Sequence, residues 1–101
     1  MSRAASVTEP NFTPPPQTLC VQLNLLHGTA RVGCEISENG TEWTLLDLFE
    51  VTNDYPLIEL PKLENWTFQA KGFDEEGRLT SVAISTIRNL TFNGVLPLLP
   101  A

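Results

Sequence analysis

With 101 residues and a mass of 11.2 kDa, the chain suffices for one hydrophobic core and is too short for two domains enclosing a catalytic cleft. Hydrophobic residues make up 42% and charged residues 18%, with eight Pro, six Gly and two Cys, which excludes a disordered polymer, a collagen-like repeat, a disulfide-dense miniprotein and a membrane span. Twelve acidic against six basic side chains leave a formal charge of −6, a field that repels phosphate backbones and anionic lipid, so neither nucleic acid nor a membrane surface is an expected partner.

Residues 1–18 carry Pro10, Pro14, Pro15 and Pro16, with Val7 and Phe12 as the main apolar side chains. A Pro-Pro-Pro run favours polyproline II and forbids helix, so an extended arm is expected. No apolar stretch follows Arg3; a secretory signal is therefore not expected, and synthesis in the cytoplasm is.

From Leu19 the apolar period is two. Leu19, Val21, Leu23 and Leu25 alternate with Cys20, Gln22 and Asn24, the pattern of a half-buried strand. After a turn at His27-Gly28, the residues Ala30, Val32, Cys34 and Ile36 resume the alternation. Taken as a two-residue hairpin, that turn sets Val21 against Cys34, Leu23 against Val32 and Cys20 against Glu35, and puts the two cysteines on different faces. A disulfide is disfavoured on that ground and by a reducing compartment. Two Cys and one His are also too few for a structural zinc site.

Asn39-Gly40 is the strongest hairpin signal in the chain, and Trp43 and Leu45 continue the apolar face beyond it. Residues 46–51 fit either a strand extension or one helical turn. Leu57 to Leu60 reads as a short strand ending at Pro61, which cannot donate to a ladder. Trp66, Phe68, Ala70 and Gly72 alternate with polar residues, Asp74-Glu75-Glu76-Gly77 turns the chain, and Leu79 to Ile87 supplies the partner strand. Residues 92–101 are apolar but interrupted by Pro97 and Pro100, and read as a tail after a last edge strand. No stretch keeps a helical period, so the expected fold is all-β, an antiparallel sandwich of six or seven short strands over residues 19–91, flanked by the two arms.

Two segments carry a resemblance. Ile36 to Leu46 resembles the central hairpin of fibronectin type III domains, and Leu60 to Gly77 resembles that family's later stretch, a Leu followed six residues on by an aromatic and then by alternating apolar residues. The resemblance implies an immunoglobulin-like or fibronectin-like sandwich. Trp66 stands where the family has a Tyr that pins the corner with its hydroxyl, so that corner must be held differently. The family places the strands corresponding to 19–25 and 30–36 in opposite sheets, whereas the short turn between them predicts one sheet.

Residue chemistry for catalysis is sparse. His27 sits in a turn without an oriented nucleophile, no G-x-S-x-G elbow, P-loop or dinucleotide fingerprint occurs, and Cys20 and Cys34 lack a basic setting. The acids Asp74, Glu75 and Glu76 fall short of a calcium loop and read as a solvated turn. No catalytic residue, metal or cofactor is expected. Four Asn-x-Thr triplets, at Asn11, Asn39, Asn65 and Asn89, follow from Asn in turns and Thr in strands. Trp43, Trp66 and Phe68 read as core, while Phe73 breaks the alternation and reads as a contact residue.

Binding through protein surface is therefore the expected work. The arm, through Phe12, Pro14, Pro15 and Pro16, the tail, through Leu96, Leu98 and Leu99, and Phe73 are the expected partner-binding residues, with protein assemblies or further copies of the chain as partners. Single domains of this kind are similar to accessory structural proteins of tailed-phage particles, such as capsid decoration proteins and tail-associated subunits, an analogy at the level of fold. The alternative is a carbohydrate- or receptor-binding module using loops around Asn39-Gly40, Asn53-Asp54-Tyr55 and Phe73-Asp74.

Overall fold

The computed structural model describes residues 18–61 and 63–101; the expected arm contacts of Phe12, Pro14, Pro15 and Pro16 lie outside them. The strands are β1 (Thr18–Asn24), β2 (Arg31–Ser37), β3 (Thr44–Glu50), β4 (Leu57–Pro61), β5 (Thr67–Phe73), β6 (Leu79–Thr86), β7 (Gly94–Pro97) and β8 (Leu99–Pro100), with one 3-10 turn at Ile87–Asn89. They form a three-stranded sheet, β4-β1-β7, and a five-stranded sheet, β3-β2-β5-β6-β8.

Period-two alternation builds the core. Leu19, Val21 and Leu23 from β1, with Ile58 and Leu60 from β4, meet Val32, Cys34 and Ile36 from β2, Phe68 and Ala70 from β5 and Ala83 from β6; all are buried. Each such aliphatic or aromatic side chain contributes roughly 1.5–3 kcal/mol on removal from water. The fold is thus a β-sandwich whose two layers share one apolar interior.

β1 and β2 do not form the hairpin that the His27-Gly28 turn predicts. β1 pairs with β4 on one side and with β7 on the other, and β2 is flanked by β3 and β5, so neither has an edge left for the other. Residues 25–30 instead carry the chain between layers. Leu25 N–H donates to the Asp54 carbonyl in the β3–β4 loop at 3.3 Å and Ala30 N–H to the Phe73 carbonyl at the end of β5 at 2.8 Å, fixing both ends of the crossing. The two cysteines are both free, Cys34 buried and Cys20 partly exposed.

The β2–β3 connection is wider than a two-residue turn. Ser37 Oγ accepts from the Gly40 amide at 2.8 Å, and Asn39 Oδ1 accepts from the amides of Thr41 and Glu42, each at 2.9 Å. Gly40 has φ +81°, a left-handed conformation that costs a residue with a Cβ about 1 kcal/mol or more. Residues 46–50 extend β3 rather than coil into helix, and a bulge there changes which side chains face inward. Leu45 lies opposite Glu35 and Asp47 opposite Cys34, leaving Leu46 as the extra residue. Leu46 and Phe49 consequently pack on the core, and Leu45 turns outward, correcting the expectation that Trp43 and Leu45 continue the buried face.

The segment 92–101 is a structural part of the sandwich and not a tail. β7 runs parallel to β1, with Gly94 opposite Val21 and Leu96 opposite Leu23. The chain then crosses between layers, and β8 pairs with β6, Leu99 opposite Val82 and Pro100 opposite Ser81. Leu98, at the crossing, is 1% exposed and belongs to the core, its amide donating to the Asn24 carbonyl at 2.9 Å. The prolines are tolerated because β7 and β8 are both edge strands. Near Trp66 the corner is closed by backbone bonds, Leu63 N–H to the Pro61 carbonyl at 3.0 Å and Trp66 N–H to the Leu63 carbonyl at 2.9 Å.

Candidate functional site: the outer face of the five-stranded sheet

Residues out of phase with the core project from the outer face of the five-stranded sheet. In one row Leu48, Gly33, Lys71, Val82 and Leu99 lie opposite one another in turn across all five strands. In the next, Leu45, Glu35, Gln69 and Ile84 do the same across four. Leu45 is 57% exposed, Leu48 55%, Ile84 57% and Leu99 62%. Large aliphatic side chains on both flanks of one pleated surface are costly to leave in water, which makes this face the candidate site.

Phe73 belongs to the same face but is only half-buried. A Cβ built on Gly33 would lie 3.6 Å from Leu48 Cδ1 and 3.8 Å from Phe73 Cε2, so the glycine leaves a depression that these two side chains roof over. Between the apolar flanks runs a polar strip. Lys71 Nζ stands 3.3 Å from Glu35 Oε1, and Gln69 Nε2 donates to the same oxygen at 2.9 Å. Farther along, Arg31 and Glu50 pair at 3.3 Å. The face therefore carries balanced charge on a chain whose total is −6.

Beside β8 the face falls into a groove of about 470 Å³ lined by Val82, Ile84, Leu96, Pro97, Leu99 and Pro100. Of the three C-terminal leucines expected to meet a partner, Leu99 is exposed here, Leu96 is half-buried against the core, and Leu98 is withdrawn into it. Leu98 is thus excluded from partner contact.

A second concavity, about 450 Å³, opens at one end of the sandwich and is lined by Gly28, Arg31, Glu50, Asp74 and Glu75 among others. Its arginine is bound to Glu50, and the neighbouring Arg78 holds Asp74 at 2.9 Å. Hydrogen bonds from the backbone N–H of Arg78, from its guanidinium and from the Glu76 amide hold the Asp74 carboxyl below its ordinary pKa. The acids Asp74 to Glu76 thus build a turn. His27 is exposed in the adjacent turn. Among the described residues no group of three or more His, Cys, Asp or Glu side chains is placed to hold a metal, and no helix is long and apolar enough to cross a membrane. Burial, reinforced by the charges of Asp47 and Glu35, pushes the Cys34 thiol up to about 12, far from a reactive thiolate at neutral pH.

Of the three loops of the carbohydrate-binding alternative, Asn53-Asp54-Tyr55 and Phe73-Asp74 lie at one end of the sandwich, where Val51 N–H donates to the Ala30 carbonyl and Ala30 N–H to the Phe73 carbonyl, and Asn39-Gly40 lies at the other. Register sets Ser37 beside Thr67 and Arg31 beside Phe73, so the Asn39-Gly40 loop and the Phe73-Asp74 turn occupy opposite ends of β2 and β5.

Leu45, Leu48 and Ile84 were not singled out by the alternation. Two signals point to them. The doublet Leu45-Leu46 breaks period two, as a bulge requires. In β6 the core positions are the small Ser81 and Ala83 while the outward ones are the large Val82 and Ile84, the reverse of a sheet whose outer face is meant only for water. No protein-family model, curated protein or solved structure matches the chain.

Proposed function

We propose that the chain is a non-catalytic interaction protein that docks onto a larger protein assembly. By analogy of fold it is an accessory structural protein of a tailed-phage particle, a capsid decoration or tail-associated subunit made in the cytoplasm and carried on the virion. The observation that supports the reading best is the pair of apolar flanks, Leu45 and Leu48 on one side and Val82 and Ile84 on the other, on the outer face of the five-stranded sheet, continued into the groove at Leu99 and Pro100. Covering such a surface contributes binding energy in proportion to its apolar area, and the charged strip sets the register of the contact. Phe12, Pro14, Pro15 and Pro16 would add a second point of attachment, raising avidity without a larger interface.

Density-gradient sedimentation of phage particles with the purified full chain tests this. The chain is expected to travel with the particles, and Leu48→Glu or removal of residues 1–18 to leave it at the top. A chain that never enters the particle fraction overturns the virion assignment.

A further inference from the structure

We propose that the outer face of the five-stranded sheet is the contact between two copies of this chain, which pair face to face about a two-fold axis. The inference rests on the reading of that face as a contact surface and names its occupant. Two-fold pairing requires a self-complementary surface, and this face has that property. An axis parallel to the strands between β2 and β5 lays β2 of one copy over β5 of the other, and β3 over β6. Glu35 then meets Lys71 and Gln69 of the second copy, while Leu45 and Leu48 meet Ile84 and Val82. Apolar flank covers apolar flank, Glu35 and Lys71 meet across the axis, and Arg31 and Glu50 stay paired within each copy.

Charge also selects this face for self-contact. The chain repels its own copies overall, at −6. On this face Arg31 and Lys71 match Glu50 and Glu35, so contact here adds no local repulsion to that of the whole chains. Extension of the sheet through the β3 edge is blocked by two devices. The Leu46 bulge breaks the flat hydrogen-bonding edge, and Asp47 stands on the core-facing side opposite Cys34, where an incoming strand would have to cover its charge. The four strands that this axis superposes, β3, β2, β5 and β6, about 4.8 Å apart and about seven residues long, cover roughly 440 Å² per copy, about 900 Å² in all, below the size of stable complexes and in the range of weak association. The dimer is therefore weak.

Sedimentation equilibrium of the full chain from about 1 µM to 1 mM reads the pairing, since interfaces of this size dissociate within that range. The weight-average mass is expected to rise toward twice the monomer, and Leu48→Glu to raise the midpoint at least tenfold. Lys71→Glu makes the strip all acidic and Glu35→Lys makes it all basic, so each variant alone is expected to stay monomeric and an equal mixture to form the heterodimer. Circular dichroism on each variant confirms that it is folded. Monomer mass throughout the range overturns the proposal, as does a dimer indifferent to Leu48→Glu, or a mixture of the two folded charge variants that does not associate. If the purified chain stays monomeric while particle attachment still depends on Leu48, self-pairing falls and docking onto the assembly stands; if particle attachment also fails, both readings fall.

Discussion

Gly72 on β5 and Ser81 on β6 lie directly opposite each other on the core side of the sheet, and the hydroxyl of the serine occupies the space that a side chain at Gly72 would need. That hydroxyl is buried without a hydrogen-bond partner. The glycine is there for room, because an added Cβ would also press on Thr29 Cγ2 at 3.3 Å and Leu98 Cδ2 at 3.4 Å. Gly72→Ala is expected to destabilise by about 1–3 kcal/mol through overpacking. Ser81→Ala is expected to be neutral or stabilising by about 1 kcal/mol, because it removes an unsatisfied polar atom. Urea unfolding of both single variants and the double variant checks this, with the effects additive if the hydroxyl yields freely in Gly72→Ala, and the double variant more stable than the sum of the singles if it does not.

Leu98 fills the crossing between the two layers, so its truncation removes contacts to both. Leu98→Ala is expected to cost about 2–5 kcal/mol, whereas Leu99→Ala, with its side chain in solvent, should lie within about 0.5 kcal/mol of the parent. Thermal denaturation of the two variants compares neighbours that differ only in the side of the sheet they face.

The Cys34 thiol should resist alkylation in the folded protein at neutral pH, while Cys20, partly exposed, is modified first. Mass spectrometry after timed iodoacetamide exposure is expected to show one adduct on Cys20, and a second only when denaturant is added. Its raised pKa also sets an alkaline limit. Stability from this group is intact below its ordinary value of 9.0 and is lost as the pH rises from there toward about 12, because only the unfolded thiol ionises readily.

Asp74 sets a limit on the acid side. Its folded pKa is depressed below the ordinary 3.8, chiefly by the hydrogen bond from the Arg78 amide. The contribution is therefore complete above 3.8 and is lost as the pH falls through the lower folded value. Asp74→Asn is expected to flatten the fall in stability below pH 4 and to lower stability at pH 7; urea midpoints measured at several pH values test both.

Period two made the layers legible. Leu19, Val21 and Leu23, then Val32, Cys34 and Ile36, then Phe68 and Ala70 all bury the face that their alternation assigns. Alternation says which way a side chain points and not which strand lies beside it, and this is why β1 was paired with β2 in the reading of the turn and with β4 and β7 in the structure. Prolines 97 and 100 read as interruptions because a central strand cannot hold them; on an edge they can stay, and so a segment that the sequence presents as a tail is part of the sandwich. The outer face was legible only in part. Broken alternation marks Phe73 and apolar excess marks Leu99 as outward-facing, whereas Leu45 becomes visible only with the bulge that turns it outward.

The segment that joins both layers, β7 through Leu98 to β8, is also the last of these elements to be synthesised. Val21 waits for Gly94, 73 positions later in the chain, and until then β1 lacks its second neighbour and the interior under Leu98 stays open. During synthesis the two layers therefore stay open at this seam until residues 94–100 have emerged. Closure comes after the other strands, so mutations that slow it should appear as lost yield in the cell before they appear as lost stability in the tube.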